Sequence, residues 1–163
     1  MRSYVLEVQD NDCSNREGHA AKVYFNCMLG IGNSRKNGGF LNGCLNYGYA
    51  VLLSAFNREI VASGYLTQIG IWHDNEFNQF NLACDLMEAF RVVVDRTAMS
   101  MEENDKDFKR KMVNVLNYKT FIDGKNTTLD LAIRQFTRSV FHALETQNEK
   151  LLAFPDKITQ DEL

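Results

Sequence analysis

The sequence has 163 residues, 45% of them hydrophobic and including eleven Phe and six Tyr; that is enough apolar material for one ordinary domain with its own core, and it excludes a disordered chain. The formal net charge is −3, so bulk charge does not mark a nucleic-acid binder, although basic residues dominate from Arg16 to Gly64 and acids from Tyr65 to Ser100. The four cysteines form no Cys-x-x-Cys pair, which argues against a zinc knuckle, and no apolar run reaches the roughly 20 residues a bilayer span needs. The expectation is a soluble, cytoplasmic protein with no membrane partner.

Residues 1–14 read as a linker or short extended segment ending in the turn-forming Asp10-Asn11-Asp12. Asn15 can cap a first helix to about Leu29, with Ala21, Tyr24, Phe25 and Met28 at helical spacing. After a glycine-rich loop carrying Arg35 and Lys36, a second helix runs from about Phe40 to Ser63. It is apolar at Leu41, Leu45, Tyr49, Leu52, Phe56 and Ile60 and closes at Gly64. A connector with Gly70 and His73 leads to a third helix over about 78–97, and a charged fourth helix covers about 102–118. Asp123-Gly124 between short β-formers predicts a hairpin near 119–128. A last helix, capped by Thr128, runs to about Gln147 with Leu129, Ile133, Phe136, Val140 and Leu144 inward, and residues 148–163 form a loose tail. The predicted fold is an all-α bundle of about five or six helices with one small β-hairpin, residues 15–147 forming the helical domain.

The third helix carries the most chemistry. At 100° per residue, Ala83, Leu86, Met87, Phe90, Val93 and Val94 share the core side, while Asn81, Asp85, Glu88, Val92 and Asp95 share the other. Three carboxylates on one face can be a solvated acidic surface or can hold a divalent cation. His73, just before this helix, can be a ligand or can bond a backbone carbonyl. Glu17 in the first turn of the first helix suits the helix dipole, yet it heads a core-facing row. One imidazole with two or three carboxylates suits Mg²⁺ or Mn²⁺ better than structural zinc. Arg134, Arg138 and His142 recur every four residues on the last helix, as phosphate contacts or as a solvated face.

The stretches Asn15-Arg-Glu-Gly-His-Ala-Ala-Lys-Val-Tyr-Phe25, Cys44-Leu-Asn-Tyr-Gly-Tyr-Ala-Val-Leu-Leu-Ser54, Gly64-Tyr-Leu-Thr-Gln-Ile-Gly-Ile-Trp-His73 and Asn81-Leu-Ala-Cys-Asp-Leu-Met-Glu-Ala-Phe-Arg91 resemble, in order and spacing, the catalytic helical domain of the CRISPR spacer-acquisition integrases, with details closest to type II systems. The resemblance spans about Asn15 to Leu144. It implies a metal-dependent DNA integrase and endonuclease that joins 3′-hydroxyl DNA ends to repeat phosphodiesters by transesterification. Glu17, His73 and Glu88 match the three ligands of Mg²⁺ or Mn²⁺, and Asp85 an acid supporting them. Arg91 matches an arginine after the ligand helix, with a structural or phosphate-facing role, and Lys22, Arg35, Lys36, Arg134 and Arg138 are candidate DNA contacts. The implied partners are double-stranded DNA, a second copy of the chain, and a small ferredoxin-like adaptation protein. Family members carry proline where this chain has Ala89, which predicts a straighter ligand helix here. The family's N-terminal β-rich domain has no counterpart in these residues, so the alternative reading is a non-catalytic module that binds DNA or a partner.

Overall fold

The computed structural model describes residue 12, residues 14–29 and residues 39–162. The chain divides into two compact units, Met1–Asn42 and Gly43–Leu163. Among the expected features, most of the 1–14 linker and the loop holding Arg35 and Lys36 lie outside the described residues.

The first unit contains helix α1 (Arg16–Leu29). Its start is organised by Asp12, whose carboxylate accepts the Arg16 N–H at 2.7 Å and whose carbonyl accepts that of Asn15 at 2.7 Å. Asn15 adopts a left-handed φ of 52°, and its amide side chain lies across Gly18, where a Cβ would collide with Asn15 Oδ1. Tyr24 and Phe25 meet edge to face at 5.5 Å.

The second unit is built around most of α2 (Phe40–Ala62), with Leu45, Leu52, Phe56 and Ile60 fully buried along one side. The helix closes as the sequence predicts. Gly64 takes a φ of 84° and donates to Val61, and Tyr65 donates back to Ile60, a Schellman arrangement that satisfies the last carbonyls. Then follow α3 (Asn81–Met87), a 3₁₀ turn (Glu88–Phe90), α4 (Arg91–Met99), α5 (Phe108–Asn114), β1 (Tyr118–Ile122), β2 (Lys125–Thr128), α6 (Leu129–Thr146) and β3 (Lys157–Glu162). Phe90 meets Phe56 at 5.0 Å and Phe136 at 5.2 Å, and Phe56 meets Phe136 at 6.3 Å, so one aromatic cluster ties α2, the 3₁₀ turn and α6 together. At Gly48 the helices α2 and α4 approach so closely that a Cβ would fall 2.5 Å from Val94 and 2.8 Å from the Met112 sulfur.

The hairpin forms where predicted: Ile122 pairs with Lys125, and Asp123 and Gly124 both take positive φ (50° and 75°), the signature of a two-residue type I′ turn. Four expectations are corrected. Of the expected loose tail 148–163, the described residues 148–162 are held in place: β3 pairs antiparallel with β1 to give a sheet of order β2-β1-β3, Ala153 donates to the Ser139 hydroxyl, and Phe154 packs on Phe136 at 5.1 Å. The open edge of β1 supplies the strand partner that the polar Lys-Ile-Thr-Gln-Asp-Glu sequence does not announce. The fourth helix starts six residues late, because Asn104 sits at φ 65° and Asp105 bonds Asp107 N and Lys111 Nζ, folding 102–107 into turns. Leu144 is 52% exposed rather than inward. The long third helix is interrupted at Glu88–Phe90 although Ala89 stands in place of proline.

Phe136→Ala removes the shared partner of three aromatic rings and should cost about 3–5 kcal/mol in denaturant unfolding. Phe154→Ala, at a 52% exposed position, should cost much less. Equal losses would show that the cluster is not the centre of the core.

Candidate metal centre

The connector after α2 is stitched to the start of α3. Thr67 is buried; its hydroxyl donates to Gln79 O at 2.7 Å and its carbonyl accepts from Leu82 N at 3.0 Å. The Asn81 amide, 3% exposed, donates to the carbonyls of Gln68 and Asn75, both at 3.0 Å. Asn75 and Asn78 each accept the N–H two residues on, turning the chain into the helix.

One turn into α3, Asp85 reaches back across this connector. Its carboxylate accepts the N–H of Ile71 at 2.6 Å, of Trp72 at 3.0 Å and of His73 at 3.1 Å, and meets His73 Nδ1 at 2.5 Å. Gly70 makes room: a Cβ there would collide with His73 O and stand 2.8 Å from Asp85 Oδ2. Burial of the Asp85 carboxyl, 8% exposed, pushes its pKa up, but the N–H of Trp72, the His73 imidazole and the N–H groups of His73 and Ile71 outweigh it and hold the pKa below the ordinary 3.8. The carboxylate is therefore ionised and can only accept, so His73 Nδ1 is the donor and Nε2 is directed away from Asp85. The imidazole is 40% exposed, within reach of solvent and of anything bound from it.

Glu88 follows in the 3₁₀ turn, 44% exposed, with Arg91 Nη2 at 3.0 Å. Only part of the expected acidic face is exposed. Asp95, expected beside Asp85 and Glu88, is instead buried at 3% exposure, with the Tyr49 hydroxyl donating to it.

Of the remaining candidates, Glu17 lies on α1, but its side chain lies outside the described residues, as do Arg35 and Lys36. Lys22 and Arg138 are exposed. Arg134 is engaged within the protein: its Nε meets Glu59 at 3.1 Å, Glu59 also pairs with Arg58 at 3.0 Å, and Arg58 reaches Asp130 at 2.5 Å. The structure thus brings His73 and Asp85 together and sets Glu88 against Arg91. Among the described residues no group of three or more His, Cys, Asp or Glu side chains gathers as a ready-made cage. Sequence reasoning passes over Gly70 and Gly48 as site-building positions; a glycine inside an otherwise apolar helix, as at Gly48, is the available signal of a close approach.

Asp85→Asn should lower stability by roughly 2–3 kcal/mol at neutral pH, because two amide hydrogens replace an acceptor facing four donors. Since the folded pKa is depressed, the gap to the unsubstituted protein should persist down to about the ordinary value of 3.8 and close only below it. Urea titrations across that range measure it, and a gap that shrinks already at mildly acidic pH would contradict the geometry.

The family described as CRISPR associated protein Cas1 matches residues 9–123. The chain is 31% identical to the CRISPR-associated endonuclease Cas1 of Neisseria meningitidis serogroup C (strain 8013), over 96% of the chain and 54% of that protein. It is 32% identical to the CRISPR-associated endonuclease Cas1 1 of Francisella tularensis subsp. novicida (strain U112), over 60% of the chain and 34% of that protein. Among solved structures, a casposase bound to integration product superposes with a TM-score of 0.74 at 26% identity, covering 88% of this chain and 53% of that one. The chain therefore spans about half the length of the Neisseria protein and of the casposase, and about a third of the Francisella protein. With the family pattern running through α1, α2, the His73 connector and the Asp85–Arg91 segment, the chain belongs to the CRISPR associated protein Cas1 family.

Proposed function

We propose that this chain is the helical, cation-binding part of a DNA integrase that joins 3′-hydroxyl ends to phosphodiesters of a CRISPR repeat. The observation that carries this reading is the Asp85–His73 pair. An imidazole whose Nδ1 is fixed by an ionised, backbone-anchored carboxylate offers Nε2 in one orientation, the arrangement that precedes metal ligation in many sites. Glu88 adds an exposed carboxylate, and the resemblance assigns Glu17 as the third ligand. The donor set, nitrogen and hard oxygen without thiolate, fits Mg²⁺ or Mn²⁺. When bound, such a cation supplies Lewis-acid polarisation of the phosphodiester.

The chain's own residues do the rest. Asp85 holds the ring and its tautomer, so His73 meets the ligand without rotamer searching. Arg91 offers donors to a phosphate oxygen beside Glu88. The attacking 3′-oxygen forms its bond to phosphorus as the repeat's own 3′-oxygen leaves; the proton lost by the first and the one gained by the second exchange with solvent, and no covalent intermediate with the protein is needed. Exposed Lys22 and Arg138 are candidate contacts to the DNA backbone, which needs only positive charge along its path. A second copy and a small ferredoxin-like adaptation protein, both implied by the resemblance, complete the assembly in the cytoplasm. Among the described residues no helix is long and apolar enough to cross a membrane.

Mn²⁺ at 100 times its Kd should stabilise the protein by about 2.7 kcal/mol. His73→Ala and Glu88→Ala should abolish that gain, and Asp85→Asn should weaken Mn²⁺ binding by about 10–100-fold. A melting temperature unmoved by saturating Mn²⁺ would remove the ligand assignment. Joining of a labelled 3′-hydroxyl duplex to repeat DNA separates an integrase from a module that only binds DNA.

A further inference from the structure

The outward side of α4 presents an arrangement that neither the family pattern nor the cation explains. Asp95 is a carboxylate at 3% exposure in a helix whose sequence places it facing water. An ionised carboxylate is not buried without compensation. The Tyr49 hydroxyl of α2 supplies part of it, donating to Asp95 Oδ1. The same tyrosine does a second thing: its ring lies under the Arg91 guanidinium, with Cζ 5.5 Å from the ring centroid. Arg91 and Asp95 are one helical turn apart, the spacing at which an arginine and an aspartate commonly pair directly. Here the ion pair of Arg91 is with Glu88 instead, on the side of the candidate centre. Arg91 Nε is buried without a hydrogen-bond partner, while the side chain as a whole is 37% exposed.

Gly48 is what allows this. With no Cβ, α2 settles against Val94 and Met112, and the next residue, Tyr49, is carried alongside the α4 face that holds both Arg91 and Asp95. A tyrosine fixed at its hydroxyl by a buried acceptor cannot swing, and a planar cation resting on that ring loses much of its rotamer freedom.

We infer that Tyr49 and Asp95 are positioning residues that hold the Arg91 guanidinium beside Glu88 with its donors ready for a phosphate oxygen of the DNA. This rests on the reading of Arg91 as a phosphate-facing group in an integrase. Tyr49 supplies the platform, Asp95 pins the platform, and Arg91 alone touches the DNA.

The test combines rates with a readout that needs no activity. In the full chain, Tyr49→Leu should lower joining of 3′-hydroxyl DNA in Mn²⁺ by about 100-fold, the scale of a misplaced reacting group. The loss should fall in the rate at saturating DNA, with the Mn²⁺-induced rise in melting temperature retained. Tyr49→Phe, which keeps the ring, and Asp95→Asn, which keeps an acceptor, should each fall between Tyr49→Leu and the unsubstituted chain, and they serve if Tyr49→Leu folds poorly. Because Tyr49 acts through Arg91, the pair Arg91→Ala with Tyr49→Leu should be no worse than Arg91→Ala alone. Additive losses would overturn the inference. Independently, the Arg91 Nε–H resonance, identified by its absence in Arg91→Ala, should move when the Tyr49 ring is removed; an unmoved resonance would also overturn it. Should the chain fail to join or cleave DNA under any condition, the integrase reading falls while this spectroscopic arm still decides whether the clamp exists.

Discussion

The grip of one carboxylate on three consecutive backbone N–H groups organises the candidate centre. Asp85 sits on a helix and the connector it binds has no regular structure of its own, so the carboxylate substitutes for the ladder a strand would have provided. Burial alone would favour the neutral acid. The converging donors reverse that preference, and the resulting anion dictates which nitrogen of His73 carries its proton. Fold and site chemistry thus share one interaction, and Gly70 is the steric condition for it.

Around this contact the second unit divides its work between two kinds of packing. The aromatic cluster of Phe56, Phe90 and Phe136 fixes where the helices lie, through area and shape. The polar contacts of Asp85, Asn81 and Thr67 fix where the connector lies, through direction. The Glu59 network with Arg58, Arg134 and Asp130 works with the aromatic cluster, because it links α2 to α6. It also occupies an arginine that the sequence reads as a solvated residue or a phosphate contact.

The sequence is most legible where a local rule and the tertiary structure agree. Ala83, Leu86, Met87, Phe90, Val93 and Val94 are all buried, because apolar periodicity tracks the core even through a short irregularity. Asp123-Gly124 forms its hairpin because only residues tolerant of positive φ make that turn. The misses share a cause as well. β3 exists because β1 has an edge to offer, which no property of residues 157–162 encodes. Asp95 is buried on a side the sequence leaves outward because α2 brings Tyr49 against it, and the periodicity of one helix does not report a second helix packing on its polar side. His73 and Asp85 each stand out by residue type, but their meeting depends on the path of the chain between them, which spacing does not determine.

The 3₁₀ turn Glu88–Phe90 places a buried ring and an exposed acid two residues apart on a single tightened coil, with Arg91 next in line. Interior and outer face are thereby geared together. A substitution that changes the girth of the aromatic cluster shifts Phe90, and the coil hands that shift to Glu88 and Arg91 without touching either. Related chains can retune the exposed acid and its arginine by editing residues that never reach the surface.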